Sequence, residues 1–239
     1  HMVPYMWGSV GIAYNVDMVK ERIPNADLSS LDLIFKPENA ALLADCGISI
    51  LDSPQDVVPM VLAYLGIDPN TTDVTQYDKV VEAFAKVREN IRTFDNTNYI
   101  NAIPNSELCV INSWSGDYSV AQSRGIEAGV ELNLAYAVPA TGAPAWADGM
   151  AIASDAPNLD SAYAFLDFLL KPEVIAGCTN FTGYANVNLA SKPFVDPAIL
   201  ANPAIYPDEA TIKRMFPLNG FNEEQDREMT RAWSTIKTG

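Results

Sequence analysis

Two short stretches pair an indole with a carboxylate: Trp114 with Asp117 in Asn112-Ser113-Trp114-Ser115-Gly116-Asp117, and Trp146 with Asp148 in Trp146-Ala147-Asp148. An aromatic face beside an unpaired carboxylate suits an organic cation. The ring quadrupole attracts the charge, and the carboxylate accepts charge-assisted hydrogen bonds. The same residue types also describe a core tryptophan next to a capping or turn aspartate. The first stretch follows an apolar run at 108–111 and precedes a helical pattern from about Tyr118. A buried strand that breaks there puts Trp114 and Asp117 on the rim of a sheet, where open α/β folds take their ligands. The second stretch lies in a strand-like run that ends at Ile152. Two acids near aromatic rings also describe sugar cleavage, so a carboxylate-based glycoside hydrolase using Asp117 and Asp148 is the reading from another class.

The remaining composition narrows the chemistry. The only histidine is His1, in a His1-Met2 pair that reads as an expression scar, so Ser-His-Asp and Cys-His nucleophiles and His-ligated zinc are not expected. Cys46, Cys109 and Cys178 have no CxxC spacing, so no metal site is expected from them either. Cys46 precedes the apolar run at 48–51, and Cys109 lies in the run that leads to Trp114. Neighbouring parallel strands would bring these two thiols within bonding reach; three free thiols are the other reading. Thirty acidic against fifteen basic side chains give a net charge of −15, which repels nucleic acid and favours cationic ligands. It is also simply a soluble surface. No apolar run is as long as a membrane span.

Strands and helices alternate through the first half. An apolar-rich strand covers 3–15, a short helix starts at Asn15-Val16-Asp17 and stops before Pro24, and Pro37-Glu38-Asn39 opens another. After the strand at 48–51, Val57, Val58, Val61, Leu62 and Leu65 mark an amphipathic helix, with Asp56 in its first turn. A helix is expected over 77–91, a shorter one around Tyr99, one from Tyr118 to about Ala128, and a strand over 131–138. This alternation implies a parallel, doubly wound sheet. Beyond Pro139-Ala140-Thr141-Gly142-Ala143-Pro144 the pattern changes to one strand and then helices at 160–170, 172–178, 208–216 and 222–237. Those helices lack the strands for a sheet of their own.

Val3-Pro4-Tyr5-Met6-Trp7-Gly8, Leu51-Asp52-Ser53-Pro54, Ser115-Gly116-Asp117, Tyr184-Ala185-Asn186 and Arg231-Ala232-Trp233 occur together and in this order. In this the chain resembles the periplasmic polyamine-binding proteins, the spermidine/putrescine receptors of ABC importers. The resemblance implies an α/β, type II periplasmic-binding-protein fold: two lobes, crossing strands and an interlobe cleft. Residues 1–10 would be a crossing strand, 11–138 the complete second lobe, and 139–239 a crossing strand with the C-terminal part of the first lobe. The chain would then begin partway through the family's sequence and lack that lobe's opening strands. It would bind weakly, and its last third would be displaced or would pair or exchange with a second chain.

Matched residue by residue, the family pocket falls on Trp114, Asp117, Trp146, Asp148, Tyr184 and Asp56, and the family disulfide on Cys46 and Cys109. The resemblance implies putrescine or spermidine as ligand, an inner-membrane permease as partner, periplasmic placement, and neither catalysis nor a cofactor. Asp56 stands where putrescine-binding members have Glu, Trp146 where they have Phe, and Asn219 where they have Lys. These changes reshape one end of the cleft and leave room for another organic cation.

Overall fold

A computed structural model describes residues 2–239, and His1 lies outside the described residues. The chain opens with one long strand, β1 (Val3–Asn15), followed by α1 (Val16–Arg22), α2 (Asp32–Phe35), α3 (Pro37–Leu43), β2 (Ile48–Ile50), α4 (Pro54–Tyr64) and α5 (Tyr77–Ala85). Then come β3 (Ile91–Phe94), α6 (Tyr99–Ala102), β4 (Val110–Trp114), α7 (Ser115–Glu127), β5 (Leu134–Ala137) and β6 (Ala143–Met150). The last part holds α8 (Leu159–Leu169), α9 (Pro172–Thr182), β7 (Ala185–Asn186), α10 (Pro197–Leu200), α11 (Glu209–Ile212), β8 (Met215–Pro217) and α12 (Glu223–Thr238).

Local chemistry sets several of these boundaries. Asn15 caps α1 by accepting the amides of Asp17 and Met18, and Pro37 and Pro54 occupy first-turn positions where a missing N–H costs nothing. Asn222 and Gln225 form a reciprocal capping box at the start of α12.

The eight strands among the described residues join one sheet in the order β3-β2-β4-β1-β6-β8, with β5 and β7 also paired to β1. The crossing strand expected at the start is β1. Its second half pairs with β4 and β5, and its first half with β6 and β7. The wholly parallel sheet expected for 11–138 is not found. Strands β3, β2 and β4 are parallel, but β1 carries the chain in from the other half and runs antiparallel to β4 and β5.

Two helices end earlier than their apolar spacing suggests. The one expected over 77–91 stops at Ala85, and Ile91–Phe94 pairs with β2, because a vacant sheet edge outweighs weak helical propensity in β-branched and aromatic residues. The one expected over 208–216 stops at Ile212, and Met215–Pro217 pairs with Ala143, Pro144 and Ala145 of β6.

The core lies between this sheet and the helices of 11–138. Ile12, Ile48, Ile50, Val57, Val61, Phe84 and Ile111 are all buried in it. The last helix joins the same core instead of staying with 139–222. Met229, Ala232, Trp233 and Ile236 are buried there, and the Trp233 ring meets Phe94 and Phe84 edge-on at 5.5 and 5.9 Å. Asp52 accepts hydrogen bonds from Trp233 Nε1 (2.7 Å) and Lys237 Nζ (3.0 Å). Arg88 donates to the carbonyls of Ile236 and Lys237, which anchors the exposed end of α12.

Cys46 and Cys109 are disulfide-bonded, with Cα atoms 5.5 Å apart across the parallel β2–β4 pair, and Cys178 is free.

Candidate functional site

Where the two halves meet, a cavity of about 460 Å³ is lined by Tyr5, Met6, Asp56, Trp114, Trp146, Asp148, Thr182 and Tyr184. Five of the six expected pocket residues line it. Among the described residues, its wall carries two carboxyl groups and no basic side chain.

Each element delivers its side chain for a local reason. Trp114 is the last residue of β4 and the N-cap of α7, so its ring stands at the sheet rim. Its indole N–H donates to Asp56 Oδ2 (3.2 Å), and Ser53 donates its hydroxyl to the same oxygen (2.8 Å). Asp56 sits in the first turn of α4. Burial pushes its carboxyl above the usual range, against the pull of the Ser53 and Trp114 bonds.

Trp146 lies on β6 opposite Gly8 of β1. A β-carbon at Gly8 would come within 2.6 Å of the indole, so glycine is what lets the ring lie flat on the strand. Trp146 also meets Tyr184 edge-on at 5.1 Å between ring centres.

The pairing of β1 with β6 slips between Pro4 and Trp7, so that Tyr5 and Met6 stand opposite the single residue Asp148. Such a bulge re-aims side chains, and here all three line the cavity. Asp148 is solvent-exposed, like its neighbours Ala147 and Gly149.

Asp117, on α7, stands behind the wall. Its two carboxylate oxygens accept hydrogen bonds from different phenols: Oδ2 from Tyr99, and Oδ1 from Tyr184 (2.7 Å). Burial first, and the neighbouring Asp117 charge second, push both phenols far above their ordinary pKa. Asn219 lies outside the cavity, where its backbone N–H donates to Asn70 Oδ1 (2.8 Å). Sequence reasoning missed Tyr5, Met6, Thr182 and Tyr99. Pro4 inside a long strand was the available signal for a bulge beside Tyr5 and Met6; nothing in the sequence marked Thr182 or Tyr99.

A family model described as "Bacterial extracellular solute-binding protein" matches residues 1–207. The chain belongs to this family. Among curated relatives of the chain, the putrescine-binding periplasmic protein PotF of Escherichia coli is 42% identical over 239 residues, covering 99% of the chain and 65% of the relative. A putrescine/agmatine-binding protein of Pseudomonas aeruginosa is 40% identical over 240 residues, covering 100% and 65%. The chain thus spans about 65% of the length of these relatives.

Among solved structures, the spermidine/putrescine substrate-binding protein PotD of Streptococcus pneumoniae matches with a TM-score of 0.81 at 26% identity, covering 99% of the chain and 68% of its own. A putative spermidine/putrescine transporter protein of Listeria monocytogenes matches with a TM-score of 0.85 at 23% identity, covering 99% and 69%. The fold of the chain is accordingly the α/β, type II periplasmic-binding-protein fold, and no helix among its described residues is long and apolar enough to cross a membrane.

Proposed function

We propose that the chain acts in the periplasm as the solute-binding component of an ABC importer. It binds putrescine or spermidine without catalysis and delivers it to an inner-membrane permease. One observation carries this reading: three aromatic rings, Trp114, Trp146 and Tyr184, share a cavity with the carboxyl groups of Asp56 and Asp148, and Asp117 stands directly behind Tyr184. Rings supply an apolar channel for methylene carbons, and carboxylates at separate points receive ammonium groups.

Residues 11–138 form one lobe of this reading. The segment 139–222, with the first half of β1, belongs to the other, and the cleft lies between them. The names of the curated relatives support both the ligand class and the importer. They also weigh against a hydrolase using Asp117 and Asp148, since those relatives are binding proteins.

Calorimetric titration of the chain with putrescine, spermidine and agmatine, beside an oligosaccharide panel, tests the reading. Heat with at least one polyamine and none with the sugars is expected. Binding of a sugar, or of none of the amines, would reject it.

A further inference from the structure

Asp117 carries two phenolic bonds of different character. Tyr184 comes from the segment after α9, is half-buried and lines the cavity, so it is free to respond to a ligand. Tyr99 comes from α6, within the same unit as Asp117, and is completely buried. Its position is fixed from behind. The carboxylate of Asp95 accepts the backbone N–H groups of Thr97 (3.1 Å), Asn98 (2.7 Å) and Tyr99 (3.1 Å), which shapes the turn from β3 into α6. Arg124 of α7 donates to Asn101 Oδ1 (2.5 Å) and ties the helix of Asp117 to the helix of Tyr99. The turn, Tyr99 and Asp117 are therefore one connected support.

We propose that Tyr99 is a positioning residue for cation binding: its hydroxyl holds Asp117 Oδ2 in place, so that the carboxylate stays fixed directly behind Tyr184 when Tyr184 moves or shares its bond with an ammonium group. The inference rests on the polyamine reading of the site. Each carboxylate oxygen has two lone pairs, so both phenols leave acceptor capacity for an ammonium. Without the Tyr99 hydroxyl, the side chain is held only by the residue that the ligand itself contacts. Ordering Asp117 then becomes a cost of binding instead of a property of the free protein.

A double-mutant cycle read by calorimetry with putrescine and spermidine tests this. Tyr99→Phe keeps the buried ring and should weaken binding about tenfold, as loss of one charge-assisted hydrogen bond does. Asp117→Ala should weaken it more, and Tyr99→Phe added to Asp117→Ala should cost nothing further. A purely structural role would weaken both backgrounds by the same factor. Tyr118→Phe serves as control, because Tyr118 is a buried phenol that donates to the Leu134 carbonyl away from the cavity. Unchanged affinity in Tyr99→Phe, or equal losses in both backgrounds, overturns this inference alone. Binding untouched by Asp117→Ala, or no polyamine binding by the parent chain, overturns the reading of the site and the inference with it.

Discussion

Helices α4 and α8 are both eleven residues long and both mainly apolar, yet they end in opposite surroundings. In α4, six consecutive residues from Val57 to Leu62 are buried between the sheet and its neighbours. In α8 none is buried, and Leu159, Tyr163, Phe165 and Phe168 lie open to solvent. Apolar content therefore says that a helix can be covered. Whether it is covered depends on the layer opposite. Strands β1 and β6 give α4 a sheet to lie on, whereas α8 has α9 as its main neighbour. The two halves of the molecule share one sheet but not one degree of packing.

The largest test of that contrast concerns α12, which crosses back to the well-packed half. Trp233→Ala removes a buried ring wedged against Phe84 and Phe94 and deprives Asp52 of a donor. It should destabilise the unit of 11–138 by about 3–5 kcal/mol in urea unfolding. A loss below about 1 kcal/mol would mean that α12 is not part of that core. Reduction of the Cys46–Cys109 bridge comes next. It closes a loop with a sequence separation of 63, worth about 4 kcal/mol in the chain-entropy account. Unfolding with and without reductant should differ by that order, and equal midpoints would contradict it.

The same contrast explains what the sequence disclosed. Trp114 and Trp146 were legible as cavity residues because each ends or occupies an apolar run, where position follows from the run itself; that Asp117 stands behind the wall was not. The residues alone left the Cys46–Cys109 bridge open, conditional on their strands being neighbours, and the family resemblance implied it. Strands β3 and β8 were not, since Ile91 and Met215 continue a helical spacing and only the vacant sheet edges beside β2 and β6 recruit them. Tyr99 carried no such signal, because its partner is 18 residues away in the chain, beyond β4. The destination of α12 was hidden for a similar reason: an amphipathic stripe shows that a helix will pack, but not against which half.

A smaller effect is expected at Asp56, where the well-packed half retains a disfavoured group. Burial raises its carboxyl pKa, opposed by the bonds from Ser53 and Trp114, so the folded protein holds this proton more tightly than the unfolded chain does. Ionising Asp56 therefore costs stability. The cost is absent below the unfolded value of about 4, grows as pH rises through the folded value, and is constant above it. Asp56→Asn should melt a few degrees higher than the parent at pH 7, with the difference disappearing near pH 3.5, and should bind polyamines less well. A parent that melts at the same temperature as the variant at pH 7 would show that Asp56 carries no such cost.

The smallest effect is expected on α8, and it bears on the contrast most directly. Phe165 is 58% exposed, while Leu62 on α4 is 1% exposed. Leu62→Ala should cost about 2–5 kcal/mol, because it leaves a cavity in a closed core. Phe165→Ser should change stability by no more than about 0.5 kcal/mol, because little apolar surface is withdrawn from a packed environment. The comparison is made in dilute solution, where each chain stands alone. Apolar side chains exposed in this number on one helix are seldom left open to water. If a second chain covers α8, the parent's melting temperature should rise with protein concentration, and Phe165→Ser should abolish the rise. Light scattering at the same concentrations reads the mass directly. A parent that stays monomeric throughout, yet loses more than about 1 kcal/mol on Phe165→Ser, would mean that α8 finds cover within its own chain and that the difference between the two helices is not one of packing.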